Sequence, residues 1–300
     1  MNYAIETLGV QYRAGRSFEI AGLDLRVPTG AIYGFLGANG SGKTTTIRLL
    51  PGLLRARAGT ISVLGQPMPA QAPEILARVG YVPEAPHLDG SLTVQELLQF
   101  QAAFYPRWDW PMAESLLLQF DLDRRGLFGN QSKGQKAKTM MLLALTQRPE
   151  LLILDEPTDG LDPVARRDIL SALLEFVAQG QATVFISTHL VHELERICDW
   201  IGVMDQGHLL VQEPLLQLKR GVKRLTLSGL PAGVTPPTPA TLLSRDVGAP
   251  GMETWTVREW AAPMAGAITA LGATVLSETD LDLEDGFIAL LRAFRVGQTR

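Results

Sequence analysis

A single cysteine, Cys198, leaves the chain without an intrachain disulfide and suits a reducing compartment. Its neighbours in RICDWIGVM read as buried structure, so a core thiol is expected there and not a nucleophile. Neither sign of charge is in excess. The 27 basic and 31 acidic side chains give a formal charge of −4, which supplies no electrostatic footprint for nucleic acid. No basic leader opens the chain, whose MNYAIETLGV already carries Glu6. Long apolar runs are also missing. The stretch 225–244 is interrupted by Pro231, Pro236, Pro237 and Pro239, and 261–277 is mostly Ala, Gly and Thr. Neither offers the roughly 20 predominantly apolar residues that a bilayer demands. The expectation is a chain soluble by itself, with any membrane role coming from a partner.

What is present is a 46% hydrophobic chain of 300 residues, enough for one large domain or two unequal ones. The first two hundred residues alternate short apolar strands with helical stretches, the pattern of an α/β domain with a largely parallel sheet. AIYGFLG (Ala31–Gly37) reads as a strand entering a glycine loop, with a helix from about Thr44 to Leu50 that Pro51 closes. ISVLG, VGYVP, LLILDEP and TVFIST read as further strands, and IGVMDQGHLLVQEP as a hairpin turned at Gln206–Gly207. Between Glu84 and about Thr146 the texture is helical. Thr93 with Glu96 forms a capping-box signature, a second helix covers Met112 to Phe120, and a third starts near Ser132. After about Lys219, KRLTLSGL and ETWTVREW suggest strands around a Pro-rich loop, and LEDGFIALLRAF a closing helix. The expected division is 1–218, with a helical insertion at about 84–146, and a small α+β appendage at 219–300.

GANGSGKT (Gly37–Thr44) fits the phosphate-loop pattern G-x-x-x-x-G-K-[ST] between a strand and a helix. Gly37, Gly40 and Gly42 let the backbone curl so that several N–H groups point at phosphate oxygens, where side chains would block the approach. Ala38, Asn39, Ser41 and the following Thr45 complete the expected nucleotide-binding stretch. Lys43 neutralises the β and γ phosphates, and the Thr44 hydroxyl can ligate magnesium. LLILDEP (Leu151–Pro157) supplies a buried strand ending in two acids. Side chains alternate along a strand, so Asp155 and Glu156 face opposite ways unless the backbone turns there. Asp155 can hold magnesium through water, while Glu156 can polarise an attacking water as general base.

A second, incomplete anion site stands in NQSKGQK (Asn130–Lys136), where Ser132 and Gly134 lie at the mouth of a helix. GANGSGKT, SKGQ, LLILDEPTDGLD and ISTH together resemble, in order and spacing, an ATP-binding cassette (ABC) ATPase over roughly residues 3–215. The resemblance implies a P-loop α/β fold of the ABC type, ATP and Mg2+ as ligands, and ATP hydrolysis. By the same resemblance Tyr12 stacks on adenine, and Glu84 sits in the loop joining core to insertion. Ser132, Lys133, Gly134 and Gln135 form the signature motif, Asp159 to Asp162 the loop after the catalytic strand, and His189 the switch that senses the γ-phosphate. It also implies a head-to-tail homodimer, or a dimer with a homologous cassette, in which each signature covers the ATP held by the other chain. An integral membrane permease subunit is the expected partner, with the chain peripheral on the inner face of the cell membrane and no nucleic acid bound.

Two motifs depart from the family's commoner pattern. Gln131 and Lys133 replace the leucine and first glycine of Leu-Ser-Gly-Gly-Gln, leaving Lys133 either to attract the γ-phosphate or to point to solvent. Glu84 replaces a glutamine and would join Asp155 and Glu156 around one magnesium; a Tyr-x-Pro-Glu loop resembles some bacterial exporter branches. FYPRWDW resembles that branch too, and Trp108 and Trp110 either pack or contact the membrane subunit. His189, His192 and Glu193 lack the zinc-protease order H-E-x-x-H. DLDLEDG has its glycine one position late for a calcium loop, so its acids are expected to prepare the last helix. The expected function is the ATP-hydrolysing subunit of an exporter of drugs, antibiotics or small peptides. The alternatives are a soluble ABC ATPase of translation or repair, against the single GKT and the lack of a long coiled coil, and a non-catalytic regulator, against Glu156 and His189.

Overall fold

The computed structural model describes residues 2–15, 18–180, 182–231 and 233–298, which fall into two compact units. The first comprises 1–190 and 197–212, and the second 191–196 and 213–300.

Five strands of the first unit form an antiparallel sheet ordered β2-β1-β5-β6, with β3 also on β1. They are β1 (Tyr3–Ala14), β2 (Phe18–Leu23), β3 (Arg26–Pro28), β5 (Ala58–Val63) and β6 (Gln66–Met68). The expectation of one largely parallel sheet did not include this layer. Its signal is broken by bulges between Val10 and Gln11 and between Leu8 and Gln11, which interrupt the alternation that marks a half-buried strand.

The second sheet runs β11-β10-β4-β9-β8-β7. Its members are β4 (Ile32–Leu36), β7 (Val79–Val82), β8 (Leu151–Asp155), β9 (Thr183–Thr188), β10 (Trp200–Asp205) and β11 (His208–Pro214). Every residue of β4, β8 and β9 is buried, as expected of parallel strands covered on both faces. β4 pairs in parallel with β9 and β10, and β8 with β7 and β9. Gln206 and Gly207, both at positive φ, turn the β10–β11 hairpin where the sequence placed it. The two sheets share a core in which Phe185 stands 5.5 Å from Tyr33 and 5.1 Å from Phe35.

Helices α1 (Lys43–Leu49) and α2 (Ala72–Leu76) follow β4 and β6. The helical segment then carries α3 (Val94–Ala102), α4 (Trp110–Gln119) and α5 (Lys133–Thr146). Thr93 and Glu96 cap α3 reciprocally, Asp109 caps α4, and Ser132 with Gln135 caps α5. α6 (Pro163–Gln179) follows β8 from an Asp162 cap, and α7 (Val191–Ile197) follows β9. No helix among the described residues is long and apolar enough to cross a membrane.

The second unit is built on an antiparallel sheet ordered β13-β14-β12-β15. Its elements are α8 (Leu215–Gly221), β12 (Lys223–Ser228), β13 (Thr241–Val247), β14 (Met252–Arg258), α9 (Met264–Ala270), β15 (Thr274–Asp280) and α10 (Leu283–Gln298). β13 and β15 lie at the two edges of this sheet, largely exposed, and carry too little apolar alternation to read as strands; β13 stands within the stretch expected to be loop. Asp282 accepts the N–H of Asp285 at 2.7 Å, so the acids do prepare the last helix. Trp255 is fully buried with Leu225, Leu227, Val257, Trp260 and Ile268, and its indole N–H reaches Glu253 at 2.8 Å. Trp255→Ala is expected to cost this unit about 3–5 kcal/mol through the cavity left behind. A lowered unfolding midpoint in denaturant titration checks this, and an unchanged midpoint contradicts it.

Candidate active site

The loop between β4 and α1 curls because Gly40 and Gly42 adopt positive φ. At Gly42, φ is 114°, and a Cβ there would lie 2.8 Å from both Phe18 and Met204. The α1 helix therefore starts without a side-chain cap, leaving its first N–H groups toward the cleft. Two contacts hold the curl: Ser41 N–H donates to Ala38 at 3.1 Å, and Gly207 N–H donates to Ser41 at 2.8 Å. Lys43 is almost wholly buried. Its ammonium donates to the carbonyls of Gly37 at 2.7 Å and Ala38 at 3.4 Å, and lies 3.1 Å from Glu156.

The acids at the end of β8 separate because the chain turns between them, Glu156 taking φ 47°. Asp155 Oδ1 accepts from Ser187 at 2.8 Å and from Thr44 at 3.2 Å, whereas its buried Oδ2 has no partner. Burial raises the Asp155 carboxyl above its ordinary range, opposed by the Ser187 and Thr44 bonds and reinforced by the charges of Glu84 and Glu156. Glu156 Oε2 meets His189 Nδ1 at 2.9 Å and the His189 N–H at 3.3 Å. His189 Nε2 lies 3.8 Å from Asp159 Oδ1. The sequence reading had not singled out Ser187. It stands opposite Asp155 in the β8–β9 register and also accepts the Glu156 N–H; its only sequence trace is the serine of ISTH.

These groups surround a cleft of about 560 Å³ lined by Asn39, Gly40, Gly42, Lys43, Thr44 and Thr45, and closed by Glu84, Glu156, Asp159 and His189. Gly37, Ala38 and Ser41 lie in the same loop but behind this lining. Tyr12 is not among the residues that line this cleft. The β1–β2 register sets it opposite buried Ile20, and it packs against the core, while Ala14 and Phe18, paired two positions along, line the cleft. Among the described residues no cluster of three His, Cys, Asp or Glu could by itself hold a metal ion.

Ser132, Gly134 and Gln135 do not line this cleft. Ser132 and Gln135 exchange their capping bonds at 3.0 and 3.2 Å at the exposed start of α5. The Lys133 side chain is largely open to solvent, one of its two expected orientations. Its stem crosses Gly160 and its ammonium stands 3.5 Å from Asp159 of the same chain, beside a cavity of about 270 Å³ that Glu84 and Glu156 also border.

Residues 20–159 match the family model described as ABC transporter. The chain is 36% identical over 248 residues to the Nod factor export ATP-binding protein I of Burkholderia lata, spanning 79% of this chain and 78% of that protein. The chain belongs to the ABC transporter ATP-binding family. A second ABC relative, the bacitracin transport ATP-binding protein BcrA of Bacillus licheniformis, is 35% identical across 73% of this chain and 72% of its own. The solved structure of an ATP-binding subunit of an ABC transporter superposes with a TM-score of 0.65 at 31% identity, over 72% of this chain and 92% of that one. As an ABC ATPase the chain binds and hydrolyses ATP, and subunits of this family work with membrane permeases.

The raised Asp155 carboxyl carries a stability consequence for the nucleotide-free ABC ATPase. The fold disfavours the carboxylate, so stability is lost as pH rises from the unfolded value of about 3.9 through the folded one. Asp155→Asn is expected to raise the melting temperature at pH 7 without nucleotide, with the gain shrinking toward pH 4. Equal melting temperatures at pH 7 contradict this.

Proposed function

We propose that this chain powers export through a partner membrane subunit, hydrolysing ATP in the cleft between the phosphate loop and the end of β8. The observation that carries the reading is Glu156, held between Lys43 and His189 at one edge of that cleft. Lys43 exchanges the carbonyls of Gly37 and Ala38 for β and γ phosphate oxygens, while Gly40 and Gly42 keep the loop open to them. Freed from that lysine, Glu156 accepts the proton of the attacking water, and His189 fixes the carboxylate's orientation. The residues present fit a hard divalent cation: the unpartnered Oδ2 of Asp155 and the adjacent Thr44 hydroxyl are oxygen donors, and Glu84 borders the same cleft. Magnesium bound there would neutralise charge on the phosphates. The aromatic beside the base is Phe18 in this reading.

Two copies close head to tail, so that Ser132, Lys133, Gly134 and Gln135 of each face the phosphate loop of the other. The partner permease meets the insertion, where Phe100 and Phe104 form an exposed edge-to-face pair 5.2 Å apart. Trp110 is also partly exposed there, whereas Trp108 packs against it at 5.9 Å and is half-buried. This places the chain at the inner face of the membrane. The names of its relatives, Nod factor export and bacitracin transport, support an exporter of drugs, antibiotics or small peptides.

Glu156→Gln is expected to retain ATP affinity and lose roughly 10²–10⁴ in turnover, the usual share of a general base; near-normal turnover rejects the assignment. Sharing of the site is tested by mixing inactive chains. Ser132→Arg and Lys43→Ala each remove activity alone, and their mixture is expected to regain it in one composite site with both halves sound. Silence from every mixture, with dimers confirmed, rejects the shared site.

A further inference from the structure

The second unit contains a groove of about 970 Å³, larger than the nucleotide cleft, between α10 and the end of the sheet at β13. Its floor is polar. The strand register aligns Ser244, Thr256 and Arg224 in one row across β13, β14 and β12. Its wall is apolar: α10 buries Leu283, Phe287, Leu290 and Leu291, yet turns Ile288, Ala289, Ala293 and Val296 to the groove, with Val296 58% exposed. Leu242 and Leu243 continue that apolar lining from β13.

Arg224, Arg245, Arg292 and Arg295 line the groove with Asp246 and Asp285. Arg224 is occupied by Asp285 at 3.4 Å and Arg245 by Glu253 at 2.6 Å. Arg292 has no ion pair or hydrogen bond among the described residues. A guanidinium left without a partner beside an apolar trough is a fitting receptor for a carboxylate that carries an aliphatic body. The volume lies within the range of small-molecule sites.

We propose that this groove binds an amphipathic carboxylate, its head on Arg292 and its tail along Ile288, Ala293, Val296 and Leu243. The proposal is independent of the transport reading. The test uses the full chain with its phosphate loop saturated by ADP and magnesium. Decanoate, below its micellar concentration, is titrated calorimetrically beside acetate and decan-1-ol. One decanoate per chain is expected, with no binding of acetate or decan-1-ol at the same concentrations. Arg292→Ala, at an exposed position, is expected to weaken decanoate about tenfold, and Ile288→Glu to remove binding, each variant keeping the wild-type melting temperature. Equal uptake of decan-1-ol, or decanoate binding indifferent to both substitutions, overturns the proposal. So does self-association of the chain that Ile288→Glu abolishes, which would make a second copy the occupant.

Discussion

Three strands buried on both faces end side by side, and the chemistry of the first unit depends on that convergence. β4 delivers the phosphate loop, β8 delivers Asp155 and Glu156, and β9 delivers Ser187 and, just beyond its end, His189. None of these side chains needs a long reach, because parallel strands in register bring their carboxyl ends to one edge. Ligands of open α/β sheets bind at that edge for the same reason. The helical segment and the antiparallel sheet add walls to a site whose geometry is already set by hydrophobic burial.

The site is held by charges facing inward. Lys43 and Glu156 form an ion pair almost wholly out of water, an arrangement that is costly to break from one side only. The carbonyls of Gly37 and Ala38 satisfy the remaining ammonium protons. The lysine and the acid therefore hold one another. A phosphate that replaces the carboxylate as the lysine's partner also frees the carboxylate. In the proposed reaction, binding and the availability of a base would be linked through one side chain.

Legibility in the sequence followed how local each feature is. GANGSGKT and LDEP could be read because the chemistry needs adjacent residues, and the caps at Thr93 and Ser132 because capping acts within one turn. Ser187 could not be read, since its bond to Asp155 depends on the register of two strands some thirty residues apart. The place of Phe18 on the cleft wall has the same origin in the β1–β2 pairing. The bulged antiparallel sheet and the exposed edge strands of the second unit stayed hidden because they lack clean periodicity, not because they lack apolar residues. The orientation of Lys133 depends on Gly160, which offers no side chain to keep its stem away.

That lysine ends a line of polar contacts: Lys43, Glu156, His189, Asp159, Lys133. The line begins where water is excluded and finishes on a side chain 62% open to solvent. Dissolved ions reach its outer contact readily and its inner one hardly at all, since screening acts over about 8 Å at physiological ionic strength and spares buried pairs. Added salt would therefore loosen the loop around Asp159 from the signature helix first, leaving the grip on Glu156 intact. The interior of the line is governed by what occupies the cleft, its exterior by the medium around the protein.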